Sequence, residues 1–566
     1  MNTNRTTNIA LKKLNKDYHE AYTCLDCRND RDIKKATWTS HKNIGEVKTP
    51  GFVQYYDGDN IMLLPFSHAL VVGSTGTGKT EVFYKNQLKV FAEMADEIKP
   101  SLEITDVKGE ICEWAVPYLE AHGYITKVFD MRNAYQTAQY NFLSQIYDEY
   151  IEAEKIRVAL AENRIKCAAG NEKKQSVEQA RAMAESRMSL LLDNVERYIT
   201  DVSYIIIPAQ PNAKELTWTD GARTMFKAIL WTMLRRSADT IHPVTREMFN
   251  ISNVCRVAFS TTDDCEEIIA WLEKAQDILC VKSAITSNYK LYARATRDGY
   301  VSTLNTGLGE YSARAIAAMT ATSDDINIKQ IASGEKPYAI FIITDDRQKT
   351  TNNICMLFIN NLLHELISTA DKSPTHSLSR HFVILADEFA NMPPLPNITN
   401  KITTLRSRKI WMVMAIQSLQ QLEMVYGKES SAIIQDNSDL LMFLGCNNDE
   451  TKEVFARSMG KKIGVKTSFN ISNDGNMSIT KCTEDIPVVR KSDLDALELG
   501  EFYVRSKQTQ NFKTYMLPHF MQDDAVCIAK GEVQGFRRFD PNANVYDIFE
   551  VVKDERPARK KFDFDF

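Results

Sequence analysis

Short apolar runs that end in polar turns occupy the first part of the chain. Residues 68–72 form one such run, and residues 81–90 behind it have the spacing of an amphipathic helix. Residues 102–106 and 124–130 are further strand candidates. Strands that alternate with helices predict a parallel α/β sheet, whose ligands bind at the carboxyl ends of the strands.

Two runs before these strands have a different pattern. Residues 51–56 and 61–64 are strand-like, and the polar turn Asp57-Gly58-Asp59-Asn60 separates them. A turn of this composition between two such runs predicts a β-hairpin. We therefore interpret residues 1–60 as an N-terminal segment with a hairpin that leads into the core.

The pattern changes between residues 147 and 330, where strand-like runs are few. Residues 151–192 are rich in Ala, Glu, Lys, Arg and Met with helical spacing, and residues 222–234 and 265–279 also look helical. We expect an all-helical domain inserted into the α/β fold. Its charges fit a solvated helix surface, and a surface that binds DNA or a partner protein is the alternative.

The α/β pattern returns after residue 330, with a helical stretch at residues 351–369. The strand-like runs of this part are residues 338–344, 381–386, 410–416 and 440–445. The chain closes on a polar, charged stretch that ends with Phe562-Asp563-Phe564-Asp565-Phe566. We interpret this end as a frayed terminus, with a docking peptide as the alternative.

Composition limits the classes of protein to which the chain can belong. At 566 residues the chain is too long for one core, and its 44% apolar and 25% charged residues are ordinary for a soluble globular protein. The net charge of −5 means that any contact with nucleic acid must come from a local patch or channel. The eleven cysteines are scattered, which predicts reduced thiols in a cytosolic compartment. Cys24 and Cys27 form an isolated C-x-x-C, for which a metal or redox role is a minor alternative.

One loop carries the clearest chemistry, because it follows a buried-strand run and precedes a helix. It has the form G-x-x-x-x-G-K-[ST] of a phosphate-binding loop, and the alternative is a glycine-rich turn that happens to precede Lys-Thr. Its residues are Gly73, Ser74, Thr75, Gly76, Thr77, Gly78, Lys79 and Thr80. The glycines let backbone N–H groups point at phosphate oxygens, and the helix N-terminus adds its positive dipole end. Lys79 is expected to reach the β- and γ-phosphates of ATP, and the Thr80 hydroxyl to ligate Mg²⁺.

A second segment supplies the acidic half of such a site. The apolar run 381–386 ends in Asp387 and Glu388, of which the first would hold the Mg²⁺ shell and the second would polarise the attacking water. Gln417 ends the run 410–416, where an amide can sense the γ-phosphate or order the water. Asp106 and Lys108 fall on the same predicted edge; contact with nucleotide or a neighbouring subunit and an ordinary capping role both remain open.

These motifs define the predicted organisation. After the N-terminal segment, residues 61–146 and 331–525 form the two parts of a nucleotide-binding domain. Residues 147–330 form the helical insertion, which explains why the loop and the acidic pair are roughly 300 residues apart. Residues 526–566 form a C-terminal tail.

The motifs resemble those of a known group, the type IV coupling proteins (TraG/TraD-like) of bacterial conjugation and type IV secretion. The resemblance covers roughly residues 60–510. Besides the phosphate loop it rests on Asp106-Val107-Lys108-Gly109-Glu110, Tyr140-Asn141, Asp387-Glu388-Phe389-Ala390-Asn391, Leu405-Arg406-Ser407-Arg408, Gln417-Ser418-Leu419-Gln420-Gln421-Leu422, Tyr426-Gly427, Phe443-Leu444-Gly445-Cys446-Asn447 and Thr451.

The resemblance implies a RecA-like P-loop NTPase motor domain that carries an all-helical domain. It implies a ring of six identical subunits with ATP and Mg²⁺ at the interfaces, and transport of relaxase-bound single-stranded DNA to the type IV secretion channel. Arg406 matches the family's arginine finger, which acts on the neighbouring subunit's nucleotide, although a solvated basic turn of Arg406 and Arg408 is the rival interpretation. Gln417 matches the family's glutamine after the following strand.

One feature departs from the family. Many members begin with two membrane-spanning helices, whereas no run of about 18 apolar residues occurs here. A soluble variant, a separate membrane-anchor partner and a removed anchor are the three explanations. We expect a cytoplasmic protein that is peripheral at the inner face of the bacterial cell membrane.

Two other functions remain open at this stage. One is a related hexameric DNA translocase outside conjugation. The other is a docking platform for protein substrates that nucleotide merely stabilises.

Overall fold

The fold is taken from a computed structural model. It describes residues 25–26, 38–162, 174–208, 217–260, 265–291, 294–321, 325–345, 347, 349–471, 477–522, 540–541 and 543–555. Cys24 and Cys27 of the C-x-x-C, and the aromatic-acidic end 562–566, lie outside these residues. In the described part of the chain, no helix combines the length and the apolar character that a membrane span needs.

A ten-stranded sheet forms the centre of the molecule, in the order β1-β15-β14-β11-β5-β10-β9-β6-β8-β7. Its strands are β1 (Leu25–Asp26), β5 (Ala69–Gly73), β6 (Ser101–Thr105), β7 (Ile125–Asp130), β8 (Tyr338–Ile343), β9 (Phe382–Ala386), β10 (Ile410–Ile416), β11 (Leu440–Gly445), β14 (Glu501–Ser506) and β15 (Phe512–Tyr515). From β11 to β7 every neighbouring pair is parallel. The antiparallel strand β14 closes this parallel part next to β11.

The strands read as continuous apolar runs because helices cover both faces of the sheet. Successive residues of β5 illustrate this: Ala69 and Val71 belong to one core, and Leu70 and Val72 to the other. Burial on both faces is the usual condition of a parallel sheet, since its crossover helices pack on both sides.

Helices of the α/β part follow the strands as predicted, with bounds shifted by a few residues. The phosphate loop leads into a wider π-type helical turn, Lys79–Tyr84, which continues as α1. The helices of this part are α1 (Lys85–Glu93), α2 (Glu110–Ala121), α12 (Lys349–Lys372), α13 (Ile398–Leu405), α14 (Leu419–Tyr426), α15 (Lys428–Asn437), α16 (Asp449–Ser458) and α17 (Lys491–Asp495).

The segment between β7 and β8 is helical, which confirms the predicted insertion as an element of the fold; its exact domain limits remain a prediction. Its helices are α3 (Ser144–Ala161), α4 (Lys174–Ile206), α5 (Thr217–Arg235), α6 (Ile251–Phe259), α7 (Glu266–Leu272), α8 (Leu279–Ser283), α9 (Arg294–Gly309), α10 (Arg314–Thr320) and α11 (Ile328–Ser333). The stretch 151–192 divides between α3 and α4, and 265–279 breaks into short pieces. Helix α18 (Ile548–Glu555) packs against α7 of this domain.

The predicted hairpin is present before the sheet. Strands β3 (Gly51–Tyr56) and β4 (Asn60–Pro65) pair antiparallel, and β2 (Trp38–Ser40) adds a third strand. The Gln87 side chain of α1 accepts from Val53 N at 2.9 Å and donates to Val53 O at 2.7 Å. The buried amide thereby replaces a missing strand partner and fixes the hairpin on the helix that follows the phosphate loop.

Two pairs of strands were not predicted from the sequence. Strands β14 and β15 extend the main sheet beyond β11. Strands β12 (Lys461–Ile471) and β13 (Met477–Pro487) form a separate two-stranded antiparallel hairpin.

Strand β6 carries a carboxyl group in the middle of the sheet. Glu103 is fully buried, and Thr105 Oγ1 donates to its Oε1 at 3.1 Å. Burial raises the pKa of Glu103 to about 8, because the charged form loses its hydration there. The folded protein therefore holds this side chain protonated at neutral pH.

We expect Glu103→Gln to flatten the pH dependence of stability. Because the folded pKa lies above the ordinary value of 4.5, the stability contributed by the protonated carboxyl is complete below that value and is lost as pH rises to about 8. The unfolding free energy of the wild type should fall across this window by up to about 1.4 kcal/mol per pH unit more than that of the variant. Urea unfolding midpoints between pH 5 and 9 measure the difference.

The matched control is Glu335→Gln at an exposed position. It should keep the wild-type slope. Parallel slopes for wild type and Glu103→Gln would show that the buried carboxyl does not titrate in this way.

Candidate active site

The carboxyl ends of three adjacent parallel strands bring the predicted motifs together. Strand β10 pairs with β5 on one side and with β9 on the other. The phosphate loop follows β5, Gln417 follows β10, and Asp387 follows β9. Because parallel strands end at the same edge, these three segments meet although roughly 300 residues separate the first from the last.

The phosphate loop needs its glycines for two reasons. Gly76 and Gly78 have φ angles of 85° and 87°, a region that side chains disfavour. A Cβ on Gly73 would lie 2.8 Å from both Lys79 Cγ and Thr77 Oγ1. Strand β11 supports the loop, since Ser74 N donates to the carbonyl of Gly445 at 2.9 Å. Its curled backbone is thus fixed by neighbouring strands.

Lys79 is buried at the start of the helix that follows the loop. Its Nζ donates to Gly73 O at 2.6 Å, so the side chain folds back across the loop. The helix N-terminus beside it carries partial positive charge. The loop therefore gathers an ammonium group, a helix dipole and curled backbone N–H groups, which is the donor set that a triphosphate requires.

Asp387 offers the complementary acid. Its Oδ1 is buried without a hydrogen-bond partner among the described residues. Burial raises the pKa of Asp387 to about 6, while the nearby Lys79 ammonium acts in the opposite direction. A buried carboxylate oxygen with free acceptor capacity fits Mg²⁺, which prefers such ligands. Thr80, directly after Lys79, is the second predicted ligand.

Glu388 sits in a strained backbone position, with φ of 53°. Its carboxylate accepts from Asn391 Nδ2, and Asn391 Oδ1 in turn accepts from Gln421 Nε2 at 2.6 Å. Gln421 Oε1 accepts from the backbone N–H of Gln417 at 3.3 Å. This chain of amides ties Glu388 to the end of β10 and fixes its orientation.

Asn391 and Gln421 belong to motifs of the sequence, but no role was predicted for either residue. Their signal was present in the Asp-Glu-x-x-Asn and Gln-x-x-x-Gln spacings. Asn391 and Gln421 each lie about one helical turn beyond the end of a strand, where their side-chain amides can bond to each other.

Asp106 has the capping role that was one of its two interpretations. Its two carboxylate oxygens accept from Gly109 N and Cys112 N, both at 2.8 Å. Burial raises the pKa of Asp106 against these hydrogen bonds. Lys108 is exposed on the same turn, and its carbonyl accepts from Arg132 Nη1 at 2.6 Å.

Arg406 is the one predicted site residue that the structure does not bring to this edge. It lies in the turn Arg406–Arg408 before β10, at the amino edge of the sheet. The length of β10 separates this turn from the phosphate loop of the same chain by about 20 Å. Its Nη1 contacts Asp439 Oδ2 at 2.9 Å. Any action of Arg406 on nucleotide must therefore be on that of another molecule.

His68 lies near Arg406 but does not add charge. Its Nδ1 accepts from Met412 N at 3.1 Å. Burial, assisted by the Arg406 guanidinium, lowers the pKa of His68 to about 4. The ring is neutral at physiological pH and serves to pack β5 against β10.

A parallel sheet with a glycine-rich phosphate loop on one strand and an Asp-Glu pair two strands away defines a P-loop NTPase of the RecA-like class. The chain belongs to the family described as Type IV secretory system Conjugative DNA transfer, whose sequence profile matches residues 26–485. This membership confirms the predicted family and its place in type IV secretion and conjugation.

Solved structures of the bacterial conjugative coupling protein TrwB share the fold. A complex of TrwBdeltaN70 with sulphate is 14% identical, covers 89% of this chain and 97% of the TrwBdeltaN70 chain, and has a TM-score of 0.56. A complex with ADP and Mg²⁺ is 14% identical, covers 85% and 94%, and has a TM-score of 0.53. A complex with the ATP analogue ADPNP is 13% identical, covers 88% and 97%, and has a TM-score of 0.54. These likenesses confirm the predicted fold class. Among curated proteins, none matches the chain.

We expect Glu388→Gln to bind ATP and fail to hydrolyse it, because the amide cannot accept a proton from water. Loss of a general base costs about 10²–10⁴ in rate. Lys79→Ala, which removes the phosphate-facing cation, should also abolish hydrolysis. Phosphate release and binding of a fluorescent ATP analogue distinguish the two steps.

Glu423→Gln is the control, since this exposed glutamate lies on the neighbouring helix α14. It should turn over like the wild type. Wild-type hydrolysis by Lys79→Ala, or loss of nucleotide binding in Glu388→Gln, would refute the assigned roles.

Proposed function

We propose that this protein is an ATPase whose hydrolysis drives transfer of single-stranded DNA in conjugation. The observation that carries the proposal is the convergence of Lys79 with Asp387 and Glu388 at one edge of the sheet. A buried cation, a buried acid and a phosphate-binding loop serve no evident structural purpose together. They match what ATP and Mg²⁺ need.

We assign the roles by position. The phosphate loop and Lys79 would hold the triphosphate, and Thr80 and Asp387 would hold Mg²⁺, which would supply positive charge next to the transferred phosphoryl group. Glu388 accepts the proton of the attacking water, with its orientation set by Asn391 and Gln421. Gln417, at the end of the strand between the two halves, orders that water or senses the γ-phosphate. TrwB has been solved with ADP and Mg²⁺ and with ADPNP, which supports this choice of ligands.

Arg406 extends the proposal to an assembly. It lies on the edge opposite to the loop, with its side chain 63% exposed. A residue so placed can complete a site only on a second copy of the chain, and a head-to-tail interface that does this forms a ring when the rotation between neighbours closes. We propose a homohexamer in which Arg406 of each subunit stabilises the transition state at its neighbour.

The remaining partners rest on family membership. The family is one of conjugative DNA transfer, and we propose relaxase-bound single-stranded DNA as cargo and the secretion channel as its destination. Contacts with DNA must be local and salt-sensitive, because the chain as a whole carries a charge of −5. A separate membrane-anchor partner would hold the protein at the inner face of the cell membrane.

We expect single-stranded DNA to stimulate ATP hydrolysis by the wild-type protein, since a translocase couples turnover to contact with its track. The stimulation should weaken as salt increases, because phosphate contacts release counterions. Phosphate release with and without an oligonucleotide measures it, and Lys79→Ala with the same oligonucleotide is the control. A rate of ATP hydrolysis that DNA leaves unchanged but a protein substrate alters would favour a docking platform instead.

A subunit-mixing experiment tests the shared site. Arg406→Ala should lose about 10³–10⁵ in turnover, as expected for an arginine finger. Mixed with Lys79→Ala subunits, it should regain activity, because about one interface in four then joins an intact loop to an intact Arg406.

Lys79→Ala mixed with Glu388→Gln is the control. Both changes lie on the same side of the interface, so no mixture of these two restores a site. Rescue in the control, or none in the Arg406 mixture, would place Arg406 outside the neighbour's site.

A further inference from the structure

The exposed Arg406 side chain is held by a buried carboxylate. Its Nη1 lies 2.9 Å from Asp439 Oδ2, and the Asp439 side chain is only 10% exposed. A long arginine side chain on a turn otherwise samples several rotamers. The contact limits where the guanidinium can go.

Asp439 is itself anchored to the sheet at several points. It directly precedes β11, and its carbonyl accepts from Lys507 N at 3.0 Å. The residue before it, Ser438, ends α15, with its Oγ donating to Ile434 O at 2.9 Å. Arg505 Nη2 donates to Ser438 O at 3.1 Å. The carboxylate thus sits on a fixed base.

The contact leaves the guanidinium able to work. Arginine presents five N–H donors, and Asp439 contacts it at Nη1. The other basic residue of the turn, Arg408, has its own carboxylate, since its Nη2 lies 2.7 Å from Asp371 Oδ1. Asp439 is therefore specific to Arg406 among the two arginines.

Because its guanidinium is exposed, this ion pair is weak compared with the attraction of a triphosphate. It can orient a side chain without retaining it against phosphate. This argues for a holding function over an inhibitory one.

We infer that Asp439 is a positioning residue for Arg406, which it aims at the nucleotide of the neighbouring copy. The inference rests on the proposed function, in which Arg406 acts across the interface. Asp439 touches neither nucleotide nor Mg²⁺ in this role. Its effect passes entirely through the guanidinium.

The first test is Asp439→Ala in the full chain. Turnover should fall about two- to fivefold, as expected for loss of an ion pair whose guanidinium is exposed and far less than loss of the finger itself. KM for ATP should stay unchanged, because the neighbour's phosphate loop is intact. Asp439→Asn keeps an acceptor and loses the charge, so its turnover should lie between those of the wild type and Asp439→Ala.

The matched control is Asp371→Ala, which breaks the ion pair of Arg408 in the same turn. Its turnover should match the wild type. Thermal midpoints of both variants check that the fold persists. Unchanged turnover in Asp439→Ala, or an equal loss in Asp371→Ala, would overturn the inference.

The second test asks which subunit carries the defect. Wild-type subunits are diluted into an excess of Lys79→Ala, Lys79→Ala/Asp439→Ala or Lys79→Ala/Arg406→Ala subunits, so that each working site receives its arginine from the diluent. The rate per wild-type subunit should be about two- to fivefold lower in the second diluent than in the first, and lowest in the third.

The three diluents distinguish the positioning role of Asp439 from the finger role of Arg406. Equal rates in the first two, with a loss in the third, would overturn the positioning role and leave the finger intact. Equal rates in all three would remove the finger as well.

Discussion

The attraction between the Lys79 ammonium and the Asp387 carboxylate depends on the order of three strands. Each charge is buried, and each would be costly alone. Parallel pairing of β5 with β10 and of β10 with β9 places both charges at one edge, where each charge offsets the cost of burying the other. The Lys79 ammonium opposes the rise in the pKa of Asp387 that burial causes. A bound cation would act in the same direction.

The polarity of a parallel sheet gives its two edges different functions. The carboxyl edge holds the loop backbone, the acids and the amides of the candidate site. The amino edge holds the neutral His68 and the paired Arg406, at a distance of about 20 Å from the phosphate loop. In the proposed assembly, the two edges would be unlike halves of a site that a second chain joins.

Sequence patterns were sufficient where the physical cause was local. The phosphate loop was predictable because steric demands at Gly73, Gly76 and Gly78 select glycine. Buried strands such as β11 stood out as apolar runs between polar turns. The predicted helical insertion followed from a change in periodicity.

Contacts between distant segments could not be predicted in this way. Glu103 looks like any strand glutamate until β8 and β9 enclose it. The amide chain from Glu388 to Gln421 joins residues about 30 positions apart, and Asp439 reaches Arg406 across a similar gap. Strands β14 and β15 were missed because they lack a long continuous apolar run: β14 begins with Glu501 and ends with Arg505 and Ser506, and β15 has Lys513 and Thr514 between its two aromatic residues.

A buried charge cluster joins the helical insertion to the α/β part, with one member, Lys401, on the helix that precedes Arg406. Asp201 of α4 accepts from His364 Nε2 at 2.8 Å and lies 3.3 Å from Lys401 Nζ. Lys401 also donates to Asn360 Oδ1 at 2.6 Å, which satisfies a second donor of the ammonium. Such a cluster adds little net stability over apolar packing, but it accepts only one arrangement of its members.

The fixed arrangement of this cluster affects the position of Arg406. Lys401 lies on α13, and the same stretch of chain continues into the turn that carries Arg406. One end of this stretch is thus fixed against the helical domain and the other against Asp439 at the start of β11. Because both contacts are charged and directional, a shift of α4 relative to the sheet would have to break one of them or move the turn. In the proposed ring, the place where Arg406 meets a neighbour would therefore be set by both domains of the chain that supplies it.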